Sequence, residues 1–256
     1  MKKFTKKILN FKKKIRKITM KKYDIQYGSS KQTYRINNFN IIVKKITSIT
    51  KISIGKKHKL CAHVEIYDNA DKEATLEHFN YFEECNITEN LERKKGTKEM
   101  MDTLIEFLKS NTNVNKLITN DQTYINCINS KNKLYLYNLY LFRHGLPYYV
   151  YNFDFEFYEN DKEDHDANLE LIKEYKINKP KFASYLHKLH LLNIPNNEIL
   201  INQFLDLIID KQLATEFIKN YVASKELCYI LNIFLNYMIK EIGIFPLIGI
   251  SYYKNI

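Results

Sequence analysis

The strongest constraint on the fold of this chain is a change in the spacing of its apolar residues near residue 160. Before that point most segments alternate polar and apolar side chains, which is the period of a β-strand. After it, apolar residues recur every three or four positions, which is the period of an α-helix. The sequence therefore predicts an α+β protein, with a sheet-forming domain over 23–159 and a helical domain over 160–256 packed on it.

The composition is compatible with such a core. The chain has 256 residues, of which 45% are hydrophobic, and only 6 Gly and 4 Pro are present, which excludes collagen-like and Gly/Pro-rich disordered chains. It contains no apolar run of about 18 residues, so we expect no transmembrane helix. Abundant Lys, Asn, Ile and Tyr indicate an AT-rich genome, such as that of a giant DNA virus, a protist or a bacterium.

The net charge of +11 lies entirely within residues 1–22, which carry ten Lys, one Arg and no acidic residue. The remainder has 29 basic and 29 acidic residues, so the folded body is expected to be neutral. Apolar residues recur in the tail at helical spacing, and we predict a disordered or weakly helical segment. The alternatives are a targeting extension, a start at Met20, or an anchor that binds nucleic acid or an anionic membrane through these residues alone.

The four cysteines are far apart in sequence, with no CxxC pair and no secretory signal. This pattern predicts reduced thiols in a cytoplasmic protein, or in host cytoplasm or a virion if the protein is viral. His187 and His190 have no neighbouring Cys, so we predict no metal site. The cysteines are Cys61, Cys85, Cys127 and Cys228.

The order of elements before residue 160 is strands, helix, strand, helix, strand. We predict strands over 34–47, 61–67, 75–87, 114–119 and 148–157, and helices over 97–109 and 125–142. The later part predicts helices over 169–175, 182–192 and 198–242, the last broken near 220–225, and a final strand over 246–253.

A basic segment, Arg93-Lys94-Lys95-Gly96-Thr97-Lys98, lies between the predicted strand 75–87 and the helix that follows it. The start of a helix has unpaired N–H groups and the positive end of a dipole, so it suits an anion. Glycine allows close approach of the backbone, and the basic side chains add charge. The alternative is a solvated basic turn that caps an amphipathic helix.

This segment and its flanks resemble the GNAT superfamily of acyl-CoA-dependent N-acyltransferases over about residues 30–158. That family has an Arg/Gln-x-x-Gly-x-Gly/Ala loop between its fourth strand and the next helix. Arg93 and Gly96 match, while Lys98 stands where the family has Gly or Ala. The resemblance implies a mixed, mostly antiparallel sheet flanked by helices. It also implies that 93–98 holds the coenzyme A pyrophosphate and that the backbone of 85–90 pairs with pantetheine.

The resemblance also implies candidate catalytic residues. A tyrosine near the family's closing segment often protonates the coenzyme A thiolate, and here Tyr140 and Tyr137 are the candidates, followed by Tyr148 and Tyr149. A base must deprotonate the amine, and Glu83 and Glu84 lie at the predicted end of strand 75–87. Solvent exposure of these carboxylates is the alternative, and His63 and His144 are weaker candidates. Residue spacing alone assembles no Ser-His-Asp arrangement.

Together these features favour an N-acetyltransferase that uses acetyl-CoA, without a metal, to acetylate an unidentified amine. One alternative is a binding or structural protein that retains the fold without activity, which the departure at Lys98 favours. The other is a protein tethered to nucleic acid or membrane by its basic tail.

Overall fold

The structure of the protein, a computed structural model, describes residues 21–26, 29–56, 59–68, 72–87, 92–121, 123–127, 133–189, 197–221, 226–244 and 249–256. It divides into two compact units, one of residues 1–119 with 253–256 and the other of residues 120–252. The predicted boundary at 159/160 therefore differs from the observed one at 119/120. The predicted α+β class with a mostly antiparallel sheet is confirmed.

The described strands are β1 Lys21–Gln26, β2 Ser29–Ile36, β3 Phe39–Ile46, β4 Ile49–Lys56, β5 Lys59–Tyr67, β6 Glu73–Phe79, β7 Lys116–Asn120, β8 Tyr124–Asn126, β9 Lys133–Tyr135, β10 Glu156–Phe157 and β11 Ser251–Asn255. The described helices are α1 Arg93–Asn111, α2 Leu136–His144, α3 Tyr148–Phe153, α4 Glu159–Glu174, α5 Lys179–Leu189, α6 Asn197–Asp206, α7 Ala214–Asn220 and α8 Cys228–Ile242. A 3₁₀ turn of the described part spans Glu83–Cys85.

The first unit is built on an antiparallel meander, β1 to β6, in which each strand pairs with the next. Short connections between consecutive strands allow each strand to pair with the next. Asn37, between β2 and β3, adopts a φ of 50°, a left-handed conformation that asparagine tolerates. After β6 the chain crosses over through α1 and returns as β7, which is parallel to β6. The sheet of this unit continues from β7 to β11.

The core of the first unit lies between one face of this sheet and α1. Alternate side chains of the strands are buried on that face, among them Ile41, Ile52 and Val64. The matching face of α1 is apolar at helical spacing, and Tyr34 meets Phe107 with ring centroids 5.1 Å apart. The buried residues of α1 are Met100, Met101, Thr103, Leu104, Phe107 and Leu108.

The second unit is mainly helical. Aromatic rings of three helices meet in its core: the centroid of Phe234 lies 4.9 Å from that of Phe182 and 5.5 Å from that of Phe204. The predicted break in the long helical region is confirmed, since α7 ends at Asn220 and α8 begins at Cys228. Helix α2 ends at His144 and is capped by Gly145, whose φ of 70° suits glycine just after a helix C-terminus.

The predicted strand over 148–157 is wrong for most of its length, because 148–153 forms α3. Alternation of aromatic residues predicted a strand, but Tyr149 and Phe153 are also four residues apart and are both buried on one side of a helix. Pro147 precedes the first turn, where its fixed φ is compatible with helix entry. The predicted strand 75–87 likewise ends at Phe79, and the helix predicted from 125 begins at Leu136.

The prediction of reduced thiols is wrong for this structure. Cys61 is bonded to Cys85 in the first unit, and Cys127 to Cys228 in the second, with Cα separations of 5.9 Å and 5.4 Å. Disulfides persist mainly in oxidising environments, so the pairing does not support a reducing compartment. Cytoplasmic localisation stays a prediction.

No helix in the described part of the chain is both long and apolar enough to cross a bilayer. The tail hypotheses, including a start at Met20, concern residues that lie outside the described ranges apart from Lys21 and Lys22 at the start of β1.

Candidate active site

The pairing between the parallel strands β6 and β7 ends before β6 does. Their register runs from Glu73 opposite Lys116 to Leu76 opposite Thr119. Strand β6 continues to Phe79, and its last residues pair with β5 on the other side, where Phe79 lies opposite Ala62. Within the described residues, the part of β6 after Leu76 therefore does not pair with β7. Ligands of sheets with parallel strands commonly bind at the carboxyl ends of those strands.

The predicted anion-binding segment lies at this same end of β6, but as part of a helix. Helix α1 begins at Arg93, so 93–98 forms its first six residues and is not a loop before it. The Gly96 N–H donates to the Glu92 carbonyl at 2.8 Å. No side-chain hydrogen bond caps this end of α1, and its first turn has no acidic residue.

The charge at the start of α1 is unfavourable for an isolated helix. Lys94, Lys95 and Lys98 are exposed, and Thr97 is half-buried. Positive side chains at the positive end of the helix dipole repel it, and Lys94 and Lys98 are four residues apart on one face. An anion bound there would relieve both effects.

The backbone of Gly96 lies close to an aromatic ring. A Cβ placed on Gly96 would overlap the ring of Tyr81, which is buried. Asn86, also buried, donates from its Nδ2 to the Tyr81 hydroxyl. The requirement for glycine thus has a structural cause that differs from the one the resemblance implies.

The two predicted bases are not on a strand. Glu83 and Glu84 lie in the 3₁₀ turn, because β6 ends four residues earlier, and the argument for burial of Glu83 on a strand face fails. The Glu84 side chain is 56% exposed and forms an ion pair with Lys59 at 2.8 Å. Solvent exposure, the alternative to a buried base, therefore describes Glu84. The Glu83 side chain is outside the described part.

The predicted acids, Tyr137 and Tyr140, are both on α2 in the second unit. Tyr137 is buried, its hydroxyl has no hydrogen-bond partner within the described part, and burial raises its pKa. Tyr140 is half-buried, and its ring contacts His144, Tyr148 and Tyr151 with centroids 5.0, 5.2 and 5.7 Å away. The structure thus places the predicted acids in one unit and the predicted anion site in the other.

Sequence reasoning missed Asp121, the residue directly after β7. Only 1% of it is exposed, its Oδ1 accepts the Thr123 N–H at 3.1 Å, and its Oδ2 has no partner among the described residues. Burial raises its pKa to about 6. Burial, and to a smaller degree the charge of Asp121, raise the pKa values of Tyr137 and Tyr252, whose hydroxyls also have no partner among these residues. In the sequence, the signal for this residue is a single acidic side chain directly after a short apolar strand.

The described residues include no group of three or more His, Cys, Asp or Glu side chains that could hold a metal ion. Comparisons of this chain with protein-family models, with curated proteins and with solved structures give no match.

Proposed function

We propose that the protein is an acetyl-CoA-dependent N-acetyltransferase that transfers an acetyl group to an amine. The observation that carries the proposal is the unit β6–α1–β7, in which the parallel strands are paired only to Leu76 and Thr119 while β6 continues to Phe79. The resemblance implies the same order, with acetyl-CoA in the splay between two such strands and its diphosphate at the start of the connecting helix.

The exposed lysines of α1 support a diphosphate at this helix start. Lys94 and Lys98 share one face, so both ammonium groups can reach the same phosphate group. Lys98 is exposed, on the side of the helix away from the buried Tyr81, and we assign it as a phosphate ligand rather than an obstruction. Of the two tyrosines that the resemblance implies as acids, Tyr137 is 2% exposed and inaccessible to a departing thiolate, and Tyr140 stays a prediction of the resemblance alone.

The proposal is tested by melting temperature in the presence of acetyl-CoA or coenzyme A, since a ligand that binds only the native state stabilises it. We expect a rise for the wild type and its loss in Lys94→Gln/Lys98→Gln. Lys109→Gln, at the other end of the same helix, is the matched control and should keep the rise. The absence of any rise in the wild type with millimolar ligand would reject the proposal.

One observation favours the alternative, a binding or structural protein without this activity. The Tyr81 ring fills the space beside Gly96 that the resemblance reserves for close approach to the diphosphate. In that case neither acetyl-CoA nor coenzyme A changes the melting temperature of any of these variants.

A further inference from the structure

Strands β4 and β5 bring a serine, a histidine and a glutamate together on the polar face of the first unit's sheet. Ser53 lies directly opposite His63 in the register, and Glu65 follows two residues later on the same face of β5. The Ser53 Oγ is 3.0 Å from His63 Nδ1, and His63 Nε2 is 3.1 Å from Glu65 Oε1.

Glu65 is held as a carboxylate. Lys51 Nζ donates to its Oε1 at 2.7 Å, and the Tyr67 hydroxyl donates to its Oε2 at 2.8 Å. These hydrogen bonds, the one from Lys51 first, lower the pKa of Glu65 to about 2. The side chain is nevertheless only 13% exposed, so its charge acts on His63 with little screening by solvent.

The charge of Glu65 fixes the tautomer of His63. A carboxylate only accepts hydrogen bonds, so His63 Nε2 must donate to it. In a neutral imidazole the other nitrogen is then an acceptor, and the Ser53 hydroxyl donates to Nδ1. Here a hydroxyl is hydrogen-bonded to an imidazole, and a carboxylate orients that imidazole. This arrangement activates the hydroxyl oxygen as a nucleophile.

We propose that Ser53 is an activated nucleophile that accepts an acyl group from activated carboxylic esters. Ser53 and His63 are half-buried, so a small molecule can reach them from solvent. Strand β3 pairs with the edge of β4 that faces away from β5. Its residue Ile42 lies directly opposite Ser53 in the register and offers an apolar contact for a short acyl group. This site is independent of the acetyl-CoA site proposed above.

The chemical step needs no cofactor. Ser53 Oγ bonds to the ester carbonyl carbon as its proton passes to His63 Nδ1, and the carbonyl oxygen gains the negative charge. Collapse breaks the bond to the alcohol oxygen, which takes the proton from the imidazolium, leaving an acyl-serine and a free alcohol. The acyl-serine is an ordinary alkyl ester and a poorer acyl donor than the activated ester that formed it, so its hydrolysis is slower than its formation and we expect one acylation with slow turnover.

The test uses the full chain with 4-nitrophenyl acetate and follows release of nitrophenolate, with peptide mass spectrometry to locate the acetyl group. We expect a stoichiometric burst and an acetyl group on Ser53. Ser53→Ala should abolish the burst, and His63→Gln should slow it by about 10²-fold. Ser30→Ala, at an exposed serine whose cross-strand neighbour is Lys45, is the matched control and should behave as wild type.

Two readouts keep the test decisive. Circular dichroism establishes that each variant is folded, and ¹⁵N NMR of His63 in the wild type reports its tautomer without any substitution. An unmodified Ser53, an equal rate in folded His63→Gln, or a proton on Nδ1 instead of Nε2 would each overturn the proposal. A structural hydrogen-bond network alone would give the first two results.

Discussion

At the scale of single residues, Asp121 is the clearest case of a side chain whose chemistry depends on burial. Its carboxylate loses water on folding, and its Oδ1 accepts the Thr123 N–H instead. Its pKa therefore rises from 3.8 to about 6. The folded state binds this proton more tightly than the unfolded state, so the contribution of Asp121 to stability falls as pH rises from about 4 through 6.

We predict that Asp121→Asn stabilises the protein near pH 7.5 relative to wild type, by up to about 3 kcal/mol for a difference of two pKa units. The difference between the two proteins should shrink as pH falls towards 4, where wild-type Asp121 is protonated in both states. Denaturant unfolding at several pH values measures it. Asp164→Asn, at an exposed position on α4, should show no such difference. A pH-independent difference for Asp121→Asn would contradict burial as the cause.

Gly96 gives a second prediction at this scale. Replacing a helical glycine by alanine normally stabilises, but Gly96 is buried and the new Cβ would overlap the Tyr81 ring. We expect Gly96→Ala to lower the free energy of unfolding by about 1–3 kcal/mol, a typical cost of overpacking. The double variant Gly96→Ala/Tyr81→Ala should lose less than the sum of the single variants. Additive losses would show that the two residues do not compete for the same space, and Lys95→Ala serves as the surface control.

At the scale of elements, the disulfides join segments that the sequence separates. Cys61 is on β5 and Cys85 in the 3₁₀ turn before α1, 24 residues later, while Cys127 and Cys228 are 101 residues apart. Each bond closes a loop in the unfolded chain and lowers its entropy. If disulfides stabilise by this loss of entropy in the unfolded chain, the bond that closes the longer loop stabilises the protein more.

We expect a double Cys→Ala variant of either pair to lose stability, by about 3 kcal/mol for the shorter loop and about 5 kcal/mol for the longer. A reductant should lower the melting temperature of wild type but have little further effect on the protein lacking both pairs. Alkylation in denaturant without reductant should modify no cysteine. Four alkylated cysteines in protein purified without reductant would contradict the pairing.

At the scale of the whole molecule, net charge and folded structure are separate properties. Deleting residues 1–19 removes nine of the eleven basic residues of the tail, and β1 begins at Lys21, after the cut. We expect the shortened protein to keep the far-ultraviolet circular dichroism of the folded units. Any salt-sensitive binding of DNA or anionic vesicles should disappear. Equal DNA affinity before and after truncation would place the binding surface in the folded body.

The sequence determined the local features of the fold. The period of apolar residues predicted strands at β3, β5 and β6, although not at β1 or β4, and the helices after residue 160, because that period reports which side of an element is buried. It also predicted a break between α7 and α8, and a helix over 97–109, although the basic segment 93–98 belongs to that helix rather than preceding it. Each of these depends on residues a few positions apart.

Which distant residues meet depends on the tertiary structure. The two cysteine pairs, the ring of Tyr81 against Gly96 and the pairing of Ser53 with His63 depend on strand register and packing. The burial of Asp121 depends in the same way on what surrounds the end of β7. Spacing along the chain carries no information about such contacts, since they are fixed when separate elements share one core and exclude water together.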